Sequence, residues 1–271
     1  VPLLVDNAHG AYLKFLPRSL HPMDLGADLC SDSAHKTLPV LTGGAYLHMG
    51  PDWTAEEAKA AMALFGSTSP SWLILQSLDG ANPLLERLPG DIAALAPHIA
   101  ALKGALLAHG FALVGAESLK ITVHAAKFGY SGEEMAEILE RQGIFCEFAD
   151  RDFLVFMLTP RNTPEELDRL RAVLCALPRG ARQEAPPVAL ARPKAACTPR
   201  QAAFAPRETI PVENSLGRIL ALANVSCPPA VPIVMCGEEI DEAAREALRR
   251  CGIEEVTVVK TFPDGEGGPP L

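Results

Sequence analysis

Three short apolar segments lie near the start of the chain, and polar or small residues follow each of them. Residues 2–5, 29–31 and 44–48 each have the length and composition of a buried β-strand. Asp6 comes directly after the first segment, and residues 33–36 come after the second. Because ligands collect at the carboxyl ends of strands in open α/β sheets, this order predicts a site that joins Asp6 to residues 33–36.

Helical segments follow these strands. Thr54, with acidic residues two and three positions later, predicts a helix that begins there and runs to about Phe65. A second helical region is predicted from about Ser71 to Gly110, with breaks near Pro83 and at Pro89-Gly90, because proline interrupts helical hydrogen bonding. Residues 1–115 are therefore predicted to form part of a large α/β domain.

Residues 116–178 are predicted to form a small α+β domain, because strand-like and helix-like segments alternate there over short distances. The helix at its end has the clearest start, since Thr163 and Pro164 precede two glutamates. The predicted strands are 120–125, a short one around 146–148, and 153–158, and the predicted helices are 132–142 and 163–177.

The remaining residues are predicted to form a linker and a third domain. Residues 179–206 are rich in Ala, Pro and Arg and lack periodicity, so we expect a loosely structured linker. Residues 207–271 are predicted to form a C-terminal domain. Its predicted elements are strands at 233–235 and 255–259 and a helix from Asp241 to Arg250, closed by Gly252.

Composition excludes several classes of partner. The 271 residues carry a formal net charge of -9, and nucleic acids or anionic membranes would instead attract clustered Lys and Arg. The seven cysteines are scattered, without the spacing of a zinc site, and are expected to be reduced thiols. No run approaches 18 consecutive apolar residues. We therefore expect a cytoplasmic protein with no nucleic-acid, membrane or metal partner.

The polar residues near the N-terminus carry the chemistry, but taken singly they are ambiguous. Lys36 alone is typical of a solvated surface charge, Asp6 alone of a turn residue, and His35 alone of a hydrogen-bonded structural group. Their spacing does not decide between these interpretations and a site.

A resemblance to a known family decides between them. The matching segments are similar to the pyridoxal-phosphate (PLP) attachment region and the C-terminal domain of the ornithine/lysine/arginine decarboxylases. Those near the N-terminus are residues 6–11 (DNAHGA), 26–28 (GAD), 31–39 (SDSAHKTLP), 66–72 (GSTSPSW) and 77–79 (SLD). Those in the C-terminal part are residues 214–219 (NSLGRI), 228–233 (PPAVPI) and 237–240 (GEEI).

This resemblance implies the C-terminal part of the large domain of a fold type I PLP enzyme, a small α+β domain and a decarboxylase-family C-terminal domain. Lys36 would hold the aldehyde of PLP as an imine, Asp6 would keep the pyridine nitrogen protonated, and His9 would lie beside the ring or substrate. The resemblance also implies that Ser33 and His35 bind the phosphate, and that Lys36 or His35 returns a proton to the substrate carbon. It further implies a homodimer or larger homo-oligomer, in which Thr68 and Ser69 reach the cofactor of a second subunit.

Several departures from the family pattern leave alternatives open. Gly43 stands where the family has Gln, and residues 227–232 read CPPAVP where the family has YPPGIP. The chain opens in an apolar run without Met, so we expect that it is part of a longer enzyme whose N-terminal part completes the cofactor site. The expected reaction is decarboxylation of arginine, lysine or ornithine.

Two other functions remain. An aminotransferase of the same fold would use a dedicated arginine for the substrate carboxylate, and Arg161 lies where such a residue is found, although a surface turn also explains it. A decarboxylase-like protein without catalysis is the third possibility. The acidic partner for a basic substrate cannot be chosen from sequence, because Asp and Glu occupy 33 positions.

Overall fold

The computed structural model of the chain describes residues 1–181, 193–222 and 232–260. The strands are β1 (Leu4–Asp6), β2 (Leu29–Asp32), β3 (Tyr46–Met49), β4 (Leu113–Val114), β5 (Lys120–His124), β6 (Phe148–Ala149), β7 (Phe153–Met157), β8 (Arg207–Pro211) and β9 (Glu255–Val259). The helices are α1 (Ala34–Thr37), α2 (Ala55–Ala63), α3 (Trp72–Leu85), α4 (Leu88–His109), α5 (Ala125–Phe128), α6 (Gly132–Glu140), α7 (Pro164–Cys175), α8 (Pro199–Phe204) and α9 (Glu242–Arg250).

These residues form two compact units. The first comprises Val1–Val123 with Phe156–Pro178, and the second comprises His124–Val155 with the described residues from Arg179 onward. The domain boundaries at 115, 178 and 206 that the sequence favours stay a prediction.

The first unit contains a three-stranded sheet in the order β1-β2-β3. β1 and β2 are parallel, with Asp6 opposite Ser31, and β2 and β3 are antiparallel, with Cys30 opposite His48. The three predicted strands are thus confirmed within two residues at their ends. The parallel pairing brings the carboxyl ends of β1 and β2 to the same edge of the sheet.

α4 is the longest helix of the first unit. Its buried residues recur every three or four positions, which places them on one face that packs on α7. They are Leu88, Ile92, Leu95, Ile99, Leu102 and Leu106. Among the described residues, α4 is also the one helix that is long and apolar enough to cross a membrane. Buried core helices of soluble proteins often have the same length and composition.

The predicted breaks in the 71–110 region are wrong. Pro83 lies in the last turn of α3 and Pro89 in the first turn of α4, and the helices are separated at Glu86 and Arg87 instead. Proline is tolerated in the first turn, because the N–H that it lacks has no partner within the helix there.

The second unit contains the pair of antiparallel strands β8 and β9 and a core against which α9 packs. The predicted strand at 255–259 and helix near 241–250 are confirmed. The short strand expected around 146–148 is confirmed within two residues at its ends, as β6. Two expectations are wrong. Residues 233–235 form no strand, and the expected linker contains α8, whose capping box joins Thr198 to Gln201. β8 begins with two adjacent charged residues, Arg207 and Glu208, and no strand was predicted there.

Candidate active site

The ends of β1 and β2 position the predicted site in the first unit. Asp6 is the last residue of β1, and Ser33 follows the last residue of β2. Ser33 is the N-cap of the short helix α1, which carries His35 and Lys36. The prediction that Asp6 and residues 33–36 follow neighbouring strands at one sheet edge is confirmed.

A cavity of about 220 Å³ opens beside α1. Both His35 and Lys36 lie on its wall, together with Asp91 from the first turn of α4 and Arg161 from the turn after β7. The rest of its lining is mostly apolar: Thr37, Leu38, Pro39, Leu84, Leu88, Thr159 and Pro160. The cavity therefore combines one acidic and two basic side chains with an apolar wall.

His35 is held in one tautomer. Its Nδ1 lies 2.9 Å from the carbonyl oxygen of Gly44, which accepts only, so Nδ1 carries the proton and donates. The neutral ring then keeps a lone pair on Nε2. Gly44 is required here because a Cβ at this position would lie 2.3 Å from Cγ1 of Val40.

The charged side chains of the cavity have no partner among the residues that the structure describes. Among the described residues, the side chains of Lys36, Asp91 and Arg161 make no hydrogen bond or ion pair. Oγ1 of Thr37 is buried and also lacks a hydrogen-bond partner. Lys36 and Asp91 are half-buried and Arg161 is exposed, so water can still solvate the arginine. Polar groups that are removed from water normally find partners, so the side chains of Lys36, Asp91 and Thr37 are the ones available to a ligand.

The structure does not bring the other predicted site residues to this cavity. Asp6 is exposed, and its Oδ1 accepts a hydrogen bond of 3.2 Å from the backbone N–H of Ala8. His9 and Ser33 are half-buried and do not line the cavity. Thr68 and Ser69 lie exposed in the segment between α2 and α3. Of the predicted residues, only Lys36 and His35 share the cavity.

Sequence reasoning missed Asp32, a buried carboxylate next to Ser33. Its Oδ1 accepts from Nδ2 of Asn7 at 2.7 Å, and its Oδ2 lies 2.9 Å from Nε2 of both His21 and His48. Asn7 is the neighbour of Asp6, so Asp32 ties the end of β1 to the start of α1. A Cβ at Gly10 would lie 1.8 Å from Oδ1 of Asn7, so glycine there leaves room for this amide.

These contacts set the charge of Asp32. Burial alone would raise the pKa of the carboxyl group, but the hydrogen bonds from His48, His21 and Asn7 outweigh burial and lower it from 3.8 to about 2. Burial, together with the nearby negative charge of Asp32, raises the pKa of the Cys30 thiol to about 12. Asp32 is thus an anion at neutral pH, and Cys30 is a protonated thiol.

His21, Cys30 and Asp32 place three potential metal ligands within 4.8 Å of one another. His21 is not prepared for that role. Its Nδ1 accepts a hydrogen bond of 3.3 Å from the backbone N–H of Met23, so the proton of the neutral ring sits on Nε2 and is donated to Asp32. The cluster is satisfied by its own hydrogen bonds.

The fold is that of solved amino-acid decarboxylases. Lysine decarboxylase A from Pseudomonas aeruginosa superposes with a TM-score of 0.72 at 16% identity, over 96% of this chain and 53% of that one. Residues 1–94 match the family described as Orn/Lys/Arg decarboxylase, major domain, and residues 183–259 match its C-terminal domain. The chain belongs to the Orn/Lys/Arg decarboxylase family.

Curated relatives agree with this assignment. The arginine decarboxylase of Bacillus subtilis is 29% identical over 266 residues, which are 89% of this chain and 54% of that protein. The arginine decarboxylase of Halalkalibacterium halodurans is 30% identical over 274 residues, which are 92% of this chain and 55% of that protein. The chain spans about half the length of the curated relatives that it matches.

The family implies PLP, and the cavity residues fit that cofactor. Lys36 supplies an amine without a protein partner, and the unpartnered hydroxyl of Thr37 can donate to an oxygen of the cofactor or substrate. The neutral His35 ring offers Nε2 on the same wall.

Proposed function

We propose that this chain carries the lysine-bearing part of a PLP-dependent decarboxylase that acts on arginine, lysine or ornithine. One observation carries the proposal: Lys36, at the motif position of the cofactor lysine, lines a cavity, and its amine has no partner among the residues that the structure describes. Membership in the Orn/Lys/Arg decarboxylase family supports the same conclusion.

When bound, PLP withdraws electrons from the substrate carbon, so that the bond to the carboxylate can break. The chain's own residues hold the cofactor and move protons. Lys36 would bind the aldehyde. By motif, Asp6 would face the ring nitrogen and the hydroxyl of Ser33 would donate to the phosphate, although neither residue lines the cavity of Lys36. His35 exchanges a proton through Nε2, because Nδ1 is occupied by Gly44. By motif, His9 would contact the ring or the substrate, although it does not line the cavity of Lys36.

Borohydride trapping tests this proposal. The purified chain is incubated with PLP, reduced, digested and mapped by mass spectrometry. We expect the label on Lys36 in preference to every other lysine, at low occupancy because an N-terminal part of the enzyme is expected to complete the site, and its complete loss in Lys36→Ala. Lys59→Ala, which removes an exposed lysine of α2, is the matched control and should keep the label on Lys36. Label spread over surface lysines in the unsubstituted chain would contradict the proposal.

We further propose that two copies of the chain associate. An apolar surface supports this proposal, since Leu64, Phe65, Trp72 and Leu73 are each more than two thirds exposed around the segment that carries Thr68 and Ser69. Light scattering after size exclusion should give twice the mass of one chain, and the mass should fall in Phe65→Asp. A monomer at all concentrations would rule out the association.

Transamination is the second candidate function. Arg161 lines the same cavity as Lys36, and its guanidinium could pair with the substrate carboxylate, which transamination retains and decarboxylation removes. Product analysis separates the two reactions, because decarboxylation releases CO₂ and transamination releases a 2-oxo acid.

A further inference from the structure

Asp91 is the one acidic residue on the wall of the Lys36 cavity. It lies in the first turn of α4, and its neighbours Leu88 and Ile92 are buried, which fixes its position. The N-terminal end of a helix is a favourable place for an acidic side chain. Its side chain has no hydrogen bond or ion pair within the described residues.

The lining between Lys36 and Asp91 suits a particular ligand. Leu38, Leu84, Leu88 and Pro160 form an apolar wall, which favours methylene groups. An unpaired, half-buried carboxylate gains most from a cation that replaces the water it has lost. A flexible apolar chain that ends in a positive charge provides both contacts.

We infer that Asp91 binds the cationic end of the substrate side chain and so selects basic over neutral amino acids. The inference rests on the proposed function, because it places the substrate in the cavity of Lys36. It also answers which acidic residue recognises a basic substrate, a choice that the sequence leaves open among 33 acidic positions. Asp91 determines specificity, and the covalent chemistry remains with Lys36.

Calorimetric titration of the chain without PLP tests this inference. L-arginine and L-citrulline are nearly isosteric, but only arginine carries a side-chain charge. We expect the chain to bind arginine more tightly than citrulline. Asp91→Asn should weaken arginine binding by about tenfold to a hundredfold, the usual range for one charge-assisted hydrogen bond, and should leave citrulline binding unchanged. Asp91→Glu should restore most of the preference.

Glu86→Gln is the matched control, because Glu86 is exposed at the end of α3 and does not line the cavity. It should bind both ligands like the unsubstituted chain. Equal arginine affinity in Asp91→Asn and Glu86→Gln would overturn the inference, as would no saturable arginine binding by the unsubstituted chain. Circular dichroism checks that each variant is folded. Failure of the proposed function is scored separately, as absence of PLP label on Lys36.

Discussion

Asp32 and Lys36 lie four residues apart, yet their surroundings differ completely. The carboxylate of Asp32 is buried and accepts hydrogen bonds from four side chains. Lys36 instead lines a cavity, and its amine makes no hydrogen bond or ion pair with the residues that the structure describes. A charged group whose hydrogen bonds are all made by the protein holds chain segments together, whereas a charged group without such partners is free to bind a ligand. This difference distinguishes Asp32, which stabilises the local structure, from Lys36 and Asp91, which we propose bind the cofactor and the substrate.

Loss of Asp32 should have the largest effect on stability. Asp32→Ala leaves the amide of Asn7 and the rings of His21 and His48 without their acceptor, and we expect a loss of about 3 kcal/mol in the free energy of unfolding. Urea denaturation measures it. The control is Asp24→Ala, which removes an exposed carboxylate bound to Lys14 and should change stability little. Equal losses in both variants would show that Asp32 is no more structural than a surface acid.

The pH dependence of stability should sharpen the comparison. Because the pKa of Asp32 is about 2 in the folded chain and 3.8 ordinarily, its contribution is complete above about pH 4 and disappears as the pH falls towards 2. It amounts to about 2 kcal/mol. Unfolding curves between pH 5 and pH 2 should therefore be less steep in pH for Asp32→Asn than for the unsubstituted chain. Parallel curves for the two proteins would contradict the assigned role.

The smallest effect is expected at the cavity. Asp91→Asn removes a charge that makes no hydrogen bond or ion pair within the described residues, so the free energy of unfolding should change by less than about 0.5 kcal/mol. Thermal unfolding without ligand measures the change. If Asp91→Asn destabilised the chain as much as Asp32→Ala, the cavity would be part of the scaffold, and the contrast between the two regions would fail.

Sequence reasoning could single out Lys36 and His35, because their motif and their place after a strand are local properties, and their role stays a prediction. Asp91 could not be singled out, since only the packing of α4 brings it to the same cavity as Lys36. Asp32 could have been predicted to be structurally important. The alternation of a β-strand places it on the same buried face as Cys30, and a buried acidic residue needs hydrogen-bond partners. In the same way, the spacing of Thr198 and Gln201 was a capping signal hidden by the Ala- and Pro-rich composition around it.

The positions of the hydrogen-bond partners of Asp32 in the sequence also determine how much chain entropy is lost when these hydrogen bonds form. Asn7, His21 and His48 lie only 25, 11 and 16 positions from it, whereas the hydrogen bond of Tyr12 to Glu117 spans 105 positions. The entropy lost on closing a loop grows with the logarithm of its length, so the hydrogen bonds to Asp32 close short loops with a small loss of entropy. Asp32 and these partners all precede Met49 in the chain. The edge of the sheet that carries Lys36 is therefore held by hydrogen bonds that do not depend on the packing of α4 or α7.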